Sequence, residues 1–210
     1  VSTDESASTS EAMSASTSNS TRASQERCAR LIVLRHAKSA WPEGVPDHER
    51  PLAGRGRRDA PAVGRWLRQQ HCTPDLVVCS TSRRTRETWE RVAAELVTAA
   101  ELPTTQAAGP DVIFEPRVYA ASADTLLQVV RALPDRCRTA LVIGHQPAVQ
   151  DLVVTLTGAG DTETLARVRG KFATSAVAVL TVPDGWARLE AGGAVLTAFA
   201  VPRGAAHDAH

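Results

Sequence analysis

A chain of 210 residues, 43% hydrophobic and 22% charged, is long enough to build one good-sized globular core. A formal net charge of +1 excludes a global pull toward nucleic acid or anionic lipid, and no apolar run reaches the length needed to cross a membrane. The four cysteines, Cys28, Cys72, Cys79 and Cys137, show neither a CxxC pair nor zinc-ligand spacing, so buried or idle thiols in a reducing cytoplasm are expected.

Residues 1–29 are nearly all Ser, Thr, Ala and small polar residues. Such a stretch cannot bury enough apolar surface to offset its ordering entropy, so a disordered tail is expected there. No apolar segment follows a basic one, so no signal peptide is expected. "RLIVL" (30–34) reads as a strand buried on both faces, and it runs directly into Arg35 and His36. Val63, Trp66 and Leu67 then share a helical face. Pro61 marks either the start of that helix after Asp59 or a bend in one that begins nearer Gly56.

"DLVVCS" (75–80) repeats the buried-strand signature and leads into "STSRRTRET" (80–88). That places Arg83, Arg84 and Arg86 at the N-terminus of a helix whose inner stripe is Trp89, Val92, Ala93 and Leu96. Further on, Ser122 fits an N-cap with Asp124 in the first turn, ahead of the stripe Leu126, Leu127, Val130 and Leu133. "TALVIGH" (139–145) is a third buried strand. After it, Pro147 is expected as the first residue of a helix carrying Val149, Leu152, Val153 and Leu156.

Beyond Lys171, "SAVAVLTV" (175–182), "GWARLEA" (185–191) and "AVLTAFAV" (194–201) read as strands joined by short Gly/Pro/Asp turns. The expected fold is a three-layer α/β/α sandwich with a mostly parallel central sheet, one domain over residues 30–203, and a frayed end at 204–210.

In open α/β sheets, sites form beyond the carboxyl ends of the strands. Applied to the three buried runs, this rule gathers Arg35, His36, the arginines of 83–86 and His145 at one edge. Like charges collected in one crevice call for an anion. A helix N-terminus and planar guanidinium forks point to a phosphate-like one.

These residues resemble the histidine phosphatase superfamily, whose "RHG" signature stands here as Arg35-His36-Ala37. The resemblance is to the short, SixA-like phosphohistidine phosphatases with a phosphoglycerate-mutase-like fold. It extends over Lys38, Ser39 and Trp41, over Asp47, Arg50, Pro51, Leu52, Arg55 and Gly56, and over Ser80, Arg84, Thr85 and Thr88. It continues through Gly144, His145 and Pro147 to the strand Phe172–Leu180, covering about residues 30–203. Two departures, Ala37 for the commoner Gly and Glu87 where Gln often stands, remove no charged ligand.

The resemblance implies that His36 is the nucleophile and that Arg35, Arg84 and His145 hold the phosphoryl oxygens, with Arg83 the lesser candidate of the adjacent pair. It implies a covalent phosphohistidine intermediate and requires no metal or other cofactor. Glu115 is the first candidate for a general acid, ahead of Asp47 and Asp151. Lys38 and Ser39 are candidate substrate contacts, and Trp41 could rim the pocket.

The preferred reading is a cytoplasmic, monomeric phosphatase for phosphohistidine in a protein, with neither nucleic acid nor membrane as partner. A small-metabolite phosphomonoesterase for sugar or nucleotide phosphates and a non-catalytic phosphate-binding module are the alternatives. A mutase is disfavoured, because re-delivering the phosphoryl group needs a closed, dry pocket.

Overall fold

A computed structural model describes residues 28–96 and 109–205 of the chain. Most of the expected tail (residues 1–27) and of the expected frayed end (206–210) lies outside the described residues. The described strands are β1 (Ala29–Arg35), β2 (Leu76–Cys79), β3 (Asp111–Phe114), β4 (Thr139–Gly144), β5 (Thr157–Gly160), β6 (Val177–Val182) and β7 (Ala194–Ala200). They form one sheet in the order β3-β2-β4-β1-β6-β7-β5. Within it β1, β2, β3 and β4 are parallel, and β6 alone runs against its neighbours β1 and β7.

Strand β1 shows why the sheet is central. Leu31, Ile32, Val33 and Leu34 are all fully buried. Successive side chains point to opposite faces, and they divide accordingly. Leu31 and Val33 join the cluster that holds Leu126 and Val130 of α3 (Ala123–Arg131) and Val149 and Leu152 of α4 (Ala148–Leu156). Ile32 and Leu34 join Val63 and Leu67 of α1 (Gly54–Gln69) and Trp89 and Val92 of α2 (Arg83–Leu96). Helices on both faces of a mostly parallel sheet make the expected three layers.

The close pairing of α1 with α2 has a local cause. A Cβ on Gly64 would sit 2.4 Å from the Val92 carbonyl oxygen, so only glycine lets the two backbones approach. Gly56 does the same toward the loop after β1, where a Cβ would lie 2.2 Å from the Lys38 carbonyl oxygen. Helix α1 begins at Gly54 and runs through Pro61, so the proline lies inside the helix and does not open it. Ser122 caps α3 by accepting from the Thr125 N–H, as its position predicts. Pro147 is the residue before α4, which starts at Ala148.

The segment "GWARLEA" is a correction. It forms a 3-10 turn at Trp186–Arg188, with no strand. The Trp186 indole is buried in the core and donates its N–H to the Cys137 carbonyl at 2.8 Å. With β6 and β7 already paired to each other, the intervening residues have no free strand edge to join. Three described elements carry no strong sequence signal: edge strand β3 is exposed throughout, β5 reads "TGAG", and α5 (Thr162–Gly170) buries only Val168. Among the described residues, no helix is long and apolar enough to cross a membrane.

Candidate active site

Strands β1 and β4 are adjacent, parallel and in register, with Arg35 opposite Gly144. The next residue on each chain therefore emerges at the same edge. The His36 N–H donates to the Gly144 carbonyl at 3.1 Å, and the rings of His36 and His145 lie 5.1 Å apart between centroids. Strand β2, on the other side of β4, ends at Cys79 and leads through Ser80 into α2, whose second residue is Arg84. Three strand ends thus deliver Arg35, His36, Arg84 and His145 to one cleft of about 200 Å³.

The His36 ring is buried and oriented. Its Nδ1–H donates to the Ala37 carbonyl at 2.7 Å, which leaves the lone pair on Nε2. Burial pushes its pKa down to about 3, helped by the positive fields of His145, Arg84 and Arg35, while the Ala37 carbonyl opposes the shift. His145 falls to about 4, again mainly by burial and then by Arg84. Both imidazoles are neutral at pH 7. His145 Nε2 lies 2.8 Å from the Ser80 hydroxyl, and its buried Nδ1 has no partner.

The arginines are braced from behind. Arg35 donates to the Phe172 carbonyl at 2.8 Å and keeps its buried Nε unpaired. Arg84 donates to the Asp47 main-chain oxygen and, at 2.9 Å, to its carboxylate. The same carboxylate accepts from Arg50 at 2.7 Å and from the Tyr119 hydroxyl at 2.8 Å. These donors, Arg50 foremost, hold Asp47 well below the usual carboxylate range. Thr88 ties helix to loop: it accepts from the Ala37 N–H at 3.0 Å and donates to the Arg84 carbonyl at 2.6 Å.

Lys38 and Ser39 line the cleft, Lys38 exposed and Ser39 accepting from Arg50 at 2.8 Å. Arg83 points away, paired with Glu87 at 2.7 Å. Glu87 in turn accepts from the Leu52 N–H at 2.9 Å and so anchors the 50–53 loop. Glu115 is not brought to the cleft, contrary to expectation. Its carboxylate caps the turn Pro116–Val118 and pairs with the Arg117 guanidinium at 2.8 Å, which holds it below its ordinary pKa. Asp151 is exposed on α4 and also lies off the cleft.

Two residues of the site were unassigned from sequence. Arg50 had a signal in its Asp47-x-x-Arg50 spacing. Tyr119, 5.6 Å from the His145 ring, had none. Among the described residues, no group of three or more His, Cys, Asp or Glu side chains is placed to hold a metal ion.

Comparison with known proteins agrees with this geometry. Residues 31–106 match the family model described as histidine phosphatase superfamily (branch 1). An uncharacterised protein of Mycobacterium tuberculosis is 38% identical over 172 residues, covering 81% of this chain and 100% of the relative. One of Mycobacterium leprae is 38% identical over 175 residues with the same coverage. Among solved structures, a Nakamurella multipartitia protein named for the phosphohistidine phosphatase SixA superposes with a TM-score of 0.69 at 30% identity, over 83% of this chain and 96% of that one. A protein histidine phosphatase SixA complexed with tungstate gives 0.62 at 24% identity, over 82% and 97%, a likeness of fold. With the paired histidines and their arginines accounted for, the chain belongs to the histidine phosphatase superfamily, within its SixA-like group.

Proposed function

We propose that this protein is a phosphatase that takes the phosphoryl group of a protein-borne phosphohistidine onto His36 and then passes it to water. The observation that carries the reading is the His36 tautomer. With Nδ1–H committed to Ala37, the bare Nε2 belongs to a cleft shared with Arg35, Arg84 and His145.

In the first step Nε2 attacks phosphorus, a new P–N bond forms, and the bond to the leaving imidazole breaks. The leaving nitrogen takes the P–N electron pair, and the imidazole departs neutral because its other ring nitrogen carries a proton. The guanidinium forks of Arg35 and Arg84, with His145 beside them in the cleft lining, meet the charge that develops on the equatorial oxygens. In the second step water attacks phosphorus, His36 regains its lone pair, and inorganic phosphate leaves.

The choice of a phosphoramidate over a sugar phosphate is supported by the acids on offer. Asp47 is the carboxylate beside Arg84, and it is held ionised. An alkoxide leaving group needs a strong proton donor, whereas a protonated imidazole leaves without one. The name of the Nakamurella relative points the same way.

The test compares phosphate release from a phosphohistidine peptide and from a hexose phosphate, together with acid-labile phosphate trapped on the enzyme. The wild type should prefer the peptide and carry label on His36, and His36→Ala should lose about a thousandfold or more in kcat/KM. Faster turnover of the sugar phosphate, or label retained in His36→Ala, would reject the assignment.

A further inference from the structure

We propose that Trp41 is a stacking platform for a planar ring on the substrate, so that the cleft selects phosphoryl groups borne on an imidazole or aryl ring over those on an alkyl chain. This rests on the phosphatase reading above and names the part of the substrate that reading leaves open.

Of the four tryptophans, Trp89 and Trp186 are buried and Trp66 is half-buried, but Trp41 is 75% exposed. A single exposed apolar side chain is ordinary on a protein surface. This one stands in the wall of the cleft that holds His36 and Arg35, and it is not loose. The preceding backbone is pinned by an antiparallel bridge between Ser39 and Leu52 and by the Ala40 N–H donating to the Pro51 carbonyl at 2.9 Å. The Arg50 guanidinium lies 3.0 Å from the indole centroid and covers one face. Arg50 itself is fixed by donating to the Ala40 carbonyl (2.9 Å), the Ser39 hydroxyl (2.8 Å) and Asp47 (2.7 Å). The indole is therefore oriented before any ligand arrives, with its opposite face open.

The platform is also joined to the phosphate grip. One oxygen of Asp47 holds Arg50 under Trp41, and the other holds Arg84 in the cleft. The series Trp41, Arg50, Asp47, Arg84 sets a fixed spacing between a stacking surface and an anion fork. A phosphoryl group on a ring engages both ends, and one on an alkyl chain engages only the fork.

The test uses two non-hydrolysable probes, phenylphosphonate and methylphosphonate, titrated calorimetrically into the full chain. The wild type should bind phenylphosphonate about fivefold more tightly than methylphosphonate, the size of one aromatic contact. Trp41→Ala should bring the ratio close to one, and Trp41→Phe should keep most of it. No preference in the wild type, including failure to bind either probe, overturns the platform. So does a preference that survives in Trp41→Ala. A loss shared equally by both probes, with the ratio intact, would make Trp41 a mere support for Arg50 and also overturns it. Phosphate release and labelling of His36 need no ring preference, so the catalytic reading fails or holds separately.

Discussion

The hydroxyl of Ser80 decides which face of His145 is useful. Ser80 Oγ is 2.8 Å from His145 Nε2, and the Ser82 N–H approaches the same oxygen at 3.5 Å. Ser80 is fully buried, and Nε2 is the acceptor within reach of its one hydroxyl proton, so the hydroxyl donates to the imidazole. The His145 proton then sits on Nδ1, the buried nitrogen without a partner. Ser80 is thus a positioning residue. Ser80→Ala should lower kcat/KM about tenfold through kcat, with KM nearly constant and the melting temperature little changed; steady-state kinetics beside a thermal melt would show it. A fall through KM alone would point to simple loss of packing. The motif arginines and histidines were legible in the sequence because each ends a recognisable strand or opens a helix. Glu115 was not correctly legible. Its neighbour Arg117 captures it, and nothing in "FEPRVYAAS" says that the pair closes on itself.

At the scale of elements, α2 delivers Arg84, so the precision of the site depends on how α2 seats against α1. Gly64 is the contact point, with its missing Cβ facing the Val92 carbonyl. Gly64→Ala should force the helices apart and cost about 1–3 kcal/mol, read as a lower midpoint in urea unfolding with an unchanged m-value. Neutral behaviour would mean that the helices slide at no cost. The doubly buried strands β1, β2 and β4 were readable because both faces demand apolar side chains, giving continuous runs such as "LIVL". The exposed edge strand β3 and the glycine-rich β5 lack that demand and went unread. "GWARLEA" misled for a tertiary reason: its tryptophan and Leu189 are buried, yet they belong to a turn packed on the core.

For the molecule as a whole, the two neutral imidazoles link site and stability. The folded pKa values, about 3 for His36 and about 4 for His145, lie below the ordinary 6.5. Between those limits the unfolded chain binds protons that the folded chain refuses, so stability rises with pH. It is fully present above about pH 6.5 and is lost as pH falls toward 4. Chemical denaturation at pH 6.5 and 5, where carboxylates remain ionised, should give a lower unfolding free energy at pH 5. His145→Gln should flatten that slope by up to about 1.4 kcal/mol per pH unit. An identical slope in the variant would show that His145 titrates normally in the native protein.

Strand β6 enters the sheet from the edge where β1 leaves it. That reversal carries the preceding loop behind His36. Phe172 offers its carbonyl to Arg35, and the Ser175 N–H reaches the Arg35 and His36 carbonyls at 3.2 and 3.3 Å. Had β6 run with its neighbours, this backing would have started at the far rim, some 20 Å away by the length of a six-residue strand. The lone contrary strand of the described sheet is therefore the anvil on which the His36 backbone rests, and the turn beyond it, from Pro183 to Gly193, folds back to seat Trp186 and Leu189 in the core.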